Sequence, residues 1–160
     1  MESLLLGLAE AVQSSFGQWA GRSHYAYPVA NLVHLLGLVM LVGGIGIVDL
    51  RLAGAFPSLP TAALARVLTP VAFAGLLLML PSGITMFAAD AEAMARSATF
   101  QRKLVLIALA LANAILFRWL WNKRIPNWDE SPPLSGRLMA GLSILLWLAV
   151  AVHGRMIAYS

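Results

Sequence analysis

Residues 28–48 read PVANLVHLLGLVMLVGGIGIV, an uncharged stretch interrupted by a single histidine. A transmembrane helix needs about 20 predominantly apolar residues, so this stretch is long enough to cross a bilayer. Three more stretches have the same character, and together they predict an all-α integral membrane protein. The four predicted spans are Pro28–Val48, Val67–Ala89, Leu104–Trp121 and Leu138–Tyr159.

The composition supports a membrane location. The chain has 160 residues, of which 60% are hydrophobic and 11% charged, and its mean hydropathy is +0.80. Soluble domains carry about 25% charged residues. At this length we expect a single membrane domain over residues 1–160. The net charge of +4 comes from Lys and Arg in short loops, where they orient helices and meet lipid headgroups, so nucleic acid is not an expected partner.

Short loops between the spans predict an antiparallel four-helix bundle. Residues 1–20 are too polar to span, but their apolar positions recur at helical spacing and predict an amphipathic helix on the membrane surface. Those positions are Leu5, Leu8, Val12, Phe16 and Trp19.

Four spans place both termini and the loop Asp90–Lys103 on one side of the membrane, which we name face A. The loops Asp49–Arg66 and Asn122–Arg137 lie on the other side, face B. Face B carries slightly more Lys and Arg, so the positive-inside rule predicts that face B is cytoplasmic and that both termini are periplasmic.

Two histidines lie inside predicted spans. His34 is six residues into the first span, and His153 is six residues before Tyr159, in a span that runs back toward face A. At 1.5 Å per residue, both lie roughly 9 Å below face A. An ionisable side chain within a bilayer span is costly and usually functional. Two imidazoles at one depth predict a haem b iron held between them; the alternative is that each only caps a helix end or bonds to a carbonyl.

Neighbouring residues fit a haem site. Gly37 lies one turn from His34 and would leave room for a flat macrocycle, while Asn31, one turn before His34, could orient its imidazole. Arg22 and Arg155 lie near face A, where haem propionates need cations.

A copper site is the alternative metal centre. It would use His34 with His24, which precedes the first span, and Met86 in the second span, because thioether ligands favour Cu(I). The absence of cysteine excludes the covalent attachment of c-type haem.

Other polar and small residues in the spans predict helix contacts. Asn113 is expected to form an interhelical hydrogen bond. Asp49 closes the first span, where the helix dipole disfavours a carboxylate, and we expect it to pair with Arg51 or Arg66. The small residues of the first span suit close contact with the bundle or with a partner; these are Gly37, Gly43, Gly44 and Gly46.

The segment YPVANLVHLLGLVMLVGGIGIVDLRL resembles the first span of an uncharacterised bacterial family of small four-helix membrane proteins, a domain of unknown function. AGLLLMLPSGITMFAADAE, FQRKLVLIALALANA and GRMIAY are similar to it as well, so the resemblance covers most of the chain. It implies four spans and a bacterial inner membrane, and it assigns no activity. The layout is more loosely similar to that of small four-helix b-type cytochromes.

The leading functional hypothesis is a haem b-binding subunit that transfers electrons near the periplasmic face. It would belong to a larger redox complex and exchange electrons with quinol or a periplasmic partner, rather than act as a stand-alone enzyme. The alternatives are a cofactor-free anchor or accessory subunit and a copper-handling membrane protein.

Overall fold

The computed structural model describes residues 2–12 and 15–159, and it is helical almost throughout. Its seven α-helices in chain order are α1 (Glu2–Val12), α2 (Ser15–Arg22), α3 (Ala26–Ala53), α4 (Thr61–Ala89), α5 (Ala91–Arg96), α6 (Ala98–Trp121) and α7 (Leu134–Met156). Two 3₁₀ segments follow α6 and α7, at Asn122–Asn127 and Ile157–Tyr159.

Four helices, α3, α4, α6 and α7, are long and apolar enough to cross a membrane. The predicted all-α four-helix bundle is therefore confirmed. All four helices begin before the predicted spans, because a helix continues past the apolar residues until a cap or a breaker ends it, whereas α7 ends at Met156, before the predicted Tyr159. Helix α3 runs through Asp49 and Arg51 and ends where Gly54 adopts a left-handed φ of 115°.

The bundle core is shared by all four long helices. Helix α3 packs closely on α4 and also contacts α7, which in turn packs on α6. The α3–α4 contact is tightest where Gly37 meets Gly75, because a Cβ at Gly75 would lie 2.5 Å from the Gly37 carbonyl oxygen. The central buried residues are Leu41, Ala72, Ala110, Trp147 and Val150.

The N-terminal residues form two helices that pack on the bundle. Helix α1 packs on α5, burying Leu5 and Ala9 against Ala91 and Ala95, and α2 packs on the C-terminal end of α4. Residues 1, 13 and 14 of the predicted helix 1–20 lie outside the described residues, and its place at the membrane surface stays a prediction.

A polar network closes the bundle at face B. Arg51, at the end of α3, forms a 2.7 Å salt bridge with Asp129. Asp129 also accepts hydrogen bonds from the backbone N–H and the hydroxyl of Thr61, the first residue of α4. Buried Trp128 donates its Nε1–H to the Leu52 carbonyl oxygen over 3.1 Å. The loop between α6 and α7 thereby joins the end of α3 to the start of α4.

This network overturns the expected partner of Asp49. Arg51 is bound to Asp129, whereas the carboxyl group of Asp49 lies beside Ser143 of α7 and its Oδ2 atom has no hydrogen-bond partner. The expectation that Asp49 pairs with Arg51 or Arg66 was wrong: Arg51 pairs with Asp129 of a distant loop, and no salt bridge joins Asp49 to Arg66 in the described residues. The Thr61 hydroxyl holds the pKa of Asp129 below its ordinary value, and the Arg51 guanidinium acts in the same direction.

Candidate functional site at the face A end of the bundle

His34 is held by a hydroxyl group of the neighbouring helix. Its Nδ1 atom lies 3.1 Å from Oγ of Ser82, a buried residue of α4. The Ser82 hydroxyl donates its only proton to the Leu78 carbonyl oxygen, over 2.6 Å. With this proton on Leu78, the Ser82 oxygen accepts from Nδ1 of His34, which corresponds to the tautomer that keeps the lone pair on Nε2. The backbone of Met79 is a further hydrogen-bond partner of the His34 ring.

His153 has the same tautomer for a different reason. Its Nδ1 atom lies 2.9 Å from the Ala149 carbonyl oxygen, one turn earlier in α7. A carbonyl oxygen only accepts, so Nδ1 carries the proton and Nε2 keeps its lone pair. Both histidines are thus in the form that binds a metal through Nε2, with the other ring nitrogen fixed by a hydrogen bond, as is usual for ligand histidines.

Lys103 of α6 lies against α7, in the end of the bundle that holds His34. Its Nζ atom is 3.4 Å from the position that a Cβ at Gly154 would occupy, and its charge acts electrostatically on His34. A Cβ at Gly83 would lie 3.3 Å from Cε1 of His34. We name His34, Ser82 and Lys103 the His34 cluster. Its members come from three helices, and the fourth helix supplies the glycine against which the ammonium group lies.

His153 directly precedes Gly154, the residue of α7 that lies against Lys103 of α6, and it is half-buried. Farther along the same pair of helices, Asn113 of α6 donates a 3.1 Å hydrogen bond to the Met139 carbonyl oxygen of α7. In the described part of the chain, no hydrogen bond joins the two imidazoles.

The structure places Gly37 and Asn31 away from the His34 cluster. A Cβ at Gly37 would lie 2.7 Å from the Gly75 carbonyl oxygen, so α4 fills the space beside Gly37. Asn31 is exposed, and Ser82 is the Nδ1 partner of His34.

The predicted face A cations and alternative ligands are mostly exposed. Arg155 donates to the Tyr159 hydroxyl over 2.8 Å and lies over its ring. Arg22, at the end of α2, and His24 are exposed, whereas Met86 is half-buried one turn beyond Ser82. Among residues 2–12 and 15–159, no three His, Cys, Asp or Glu side chains lie together as metal ligands would.

Ser82 is the residue of the cluster that sequence reasoning missed. The segment LPSG in the second span offers its only signal, a hydroxyl directly after Pro81 in an otherwise apolar helix. Lys103 has no comparable signal, because it lies at the boundary between a loop and a predicted span. The prediction for Asn113 is confirmed, because it links α6 to α7.

Fold and site together define a helical bundle with four apolar helices that are compatible with a multi-pass membrane protein, and with His34 bonded to Ser82 inside one end of the bundle. Residues 9–160 match the sequence model of a family described as a family of unknown function, DUF6644, and the chain belongs to that family. The predicted family resemblance is thereby confirmed. No curated protein and no solved structure gives a significant match to the chain.

Proposed function

We propose that this chain is a haem b-binding membrane subunit that transfers electrons near face A, with His34 and His153 as the axial ligands. The observation that supports the proposal is the shared tautomer of the two histidines, since each presents the Nε2 lone pair that haem iron requires. Two neutral imidazole donors on neighbouring helices fit the chemistry of a b-type haem.

Each residue has a stated part in this proposal. Ser82 holds the His34 ring by its Nδ1–H, which fixes the ring orientation and raises the basicity of Nε2. Lys103 would neutralise a haem propionate, as Arg22 and Arg155 would at the surface. Bound haem supplies one-electron transfer.

The proposal places the protein in a bacterial inner membrane with both termini periplasmic. One haem near one face does not carry electrons through the whole bilayer, so a partner is required. The chain would therefore work within a larger redox complex, exchanging electrons with quinol or a periplasmic partner. It would not act as a stand-alone enzyme.

The test is the absorption spectrum of protein purified from cells supplied with a haem precursor, oxidised and then reduced with dithionite. We expect a Soret band and a reduced α-band of b-type character. His34→Ala and His153→Ala should each abolish or shift the low-spin signal, and His24→Ala serves as the matched control. The proposal fails if no Soret band appears, or if His34→Ala leaves the spectrum unchanged. Copper in place of haem on metal analysis would favour a site of His24, His34 and Met86.

One observation favours a second candidate, a cofactor-free accessory subunit. The glycines of α3 divide into two sets. Gly37 and Gly44 lie against α4, whereas Cβ atoms at Gly43 and Gly46 would meet nothing within 4 Å. The open pair would suit close packing of a partner helix. A stoichiometric partner that co-purifies without pigment or metal would support this candidate.

A further inference from the structure

A groove runs between α3 and α7, on the part of the bundle nearer face B. Its volume is about 250 Å³, and its walls are aliphatic except at Asp49 and Trp147. Gly43 and Gly46 leave space along its α3 side. Asp49 is fifteen residues beyond His34, roughly 22 Å farther along the helix, so the groove is separate from the His34 cluster.

Among the described residues, two buried polar atoms beside this groove have no hydrogen-bond partner. Asp49 and Trp147 are each 5% exposed. Neither Oδ2 of Asp49 nor Nε1 of Trp147 has a hydrogen-bond partner in the structure. Buried polar groups are nearly always paired, and an unmade hydrogen bond there is destabilising. Both residues line the groove, so one occupant that reaches these atoms would supply a donor to Asp49 and an acceptor to Trp147.

The pairing requirement narrows the chemistry of the occupant. A lysine, an arginine or a metal ion could bind Asp49 but could not accept from the indole N–H, and an anion would be repelled by the carboxylate. The occupant must both donate and accept. It must also be soluble in lipid, because the groove walls Ile47, Leu50 and Leu148 are more than 40% exposed on the apolar surface of the bundle.

We infer that this groove binds a lipid-soluble hydroxylated ring of the quinol class. One ring hydroxyl donates to Asp49, and a ring oxygen accepts from Nε1 of Trp147. The volume suits a single ring, since pockets for whole drug-sized ligands measure about 300–1,000 Å³. The apolar tail lies in the bilayer. The inference concerns binding alone and shares no residue with the haem proposal, so either can fail without the other.

The experiment measures equilibrium binding of tritium-labelled decylhydroquinone to the purified chain in lipid nanodiscs, with empty nanodiscs subtracted. We expect saturable binding of about one molecule per chain. The dimethyl ether of the same compound lacks hydroxyl donors, so it should compete about tenfold less well. The haem content of each sample is recorded alongside.

Three variants probe the groove. Asp49→Ala removes the carboxylate and Trp147→Phe removes the indole N–H, and each should weaken binding about tenfold. Gly46→Leu fills the groove and should abolish binding. Gly141→Leu is the matched control, because Gly141 also has open space but does not line the groove. The thermal unfolding of each variant verifies that it is folded.

Several results would overturn the inference. These are the absence of saturable binding to folded wild-type protein, equal affinity for the dimethyl ether, or unchanged binding by Gly46→Leu. A cross-link from position 46 to a helix of a partner protein in native membranes would also overturn it, because a partner helix would then cover the groove. Binding that persists in haem-free protein would support the inference while leaving the haem proposal to its own test.

Discussion

Replacing Gly75 by Ala tests the helix crossing that positions His34. A Cβ at Gly75 would lie 2.5 Å from the Gly37 carbonyl oxygen, 0.9 Å less than the 3.4 Å at which ordinary van der Waals contact begins. It would also lie 2.7 Å from the backbone nitrogen of Leu41. Backbone atoms cannot rotate away as a side chain can. Helices α3 and α4 must therefore move apart by nearly the full 0.9 Å.

That separation reaches the His34 cluster. Gly37 is one turn from His34, so a shift of this size would lengthen the 3.1 Å contact between Nδ1 and the Ser82 hydroxyl to about 4.0 Å, beyond hydrogen-bond range. Overpacking of this kind and one lost hydrogen bond together destabilise by about 2–4 kcal/mol. The substitution should also free the Nδ1–H of His34 from its hydrogen bond to Ser82, so that the tautomer of His34 is no longer fixed.

The assay has two measurements. Denaturant unfolding of the purified protein in mixed micelles, followed by tryptophan fluorescence, gives the change in unfolding free energy. The ¹⁵N chemical shifts of the His34 ring report its tautomer. Gly43→Ala is the matched control, since Gly43 has open space and alanine favours a helix over glycine. Equal stability of the two variants, with unchanged His34 shifts, would refute the reasoning.

Three further predictions follow from other contacts. Ser82→Ala should weaken haem binding about 10- to 100-fold, because the His34 ring loses the hydroxyl that holds it. Ser82→Thr keeps a hydroxyl and should restore haem binding. Equal haem affinity of the two variants in a titration would count against the role of the hydroxyl. Asn113→Ala should lower the unfolding free energy by about 0.5–1.5 kcal/mol, with Asn113→Gln closer to wild type; no change would mean that the link from α6 to α7 is energetically neutral. The lowered pKa of Asp129 adds stability that is fully present above the ordinary carboxyl pKa of 3.8 and is lost as the pH falls through the folded value. Because this side chain is 41% exposed, solvent screening limits that loss to about 1 kcal/mol or less; Asp129→Asn should remove the pH dependence, and an unchanged slope in that variant would contradict the assignment.

The four long helices were predictable because each depends on its own sequence. An uncharged apolar stretch such as residues 28–48 has few stable alternatives in a bilayer, where every backbone group must be satisfied within the segment. Asn113 was predictable for a similar reason, since a mid-span amide finds a partner on a neighbouring helix. Helix ends were less predictable, because α3 continues past its apolar residues to Gly54.

The side-chain contacts of the candidate site were not predictable, because they depend on how each helix is rotated and which helices touch. Helix counting gives His34 and His153 one depth, but it does not determine which side of α7 carries His153. For the same reason, Asn31 was predicted to orient the His34 ring because it lies one turn before His34, whereas the partner of Nδ1 is Ser82. Asp49 was predicted to pair with a cation near it in sequence, such as Arg51. In the structure Arg51 pairs with Asp129, which lies 78 residues away.

That separation of 78 residues between Arg51 and Asp129 has a consequence for synthesis of the chain. The hairpin of α3 and α4 leaves the ribosome before the loop that carries Asp129. At that stage the guanidinium of Arg51 lacks its carboxylate partner. Asp129 and Trp128 arrive only with the loop that precedes α7. In a chain interrupted before that loop, Arg51 lacks its carboxylate partner and the Leu52 carbonyl oxygen lacks the indole N–H of Trp128. Closure at face B therefore requires synthesis to have passed Asp129, and a copy truncated before that residue cannot form the salt bridge with Arg51.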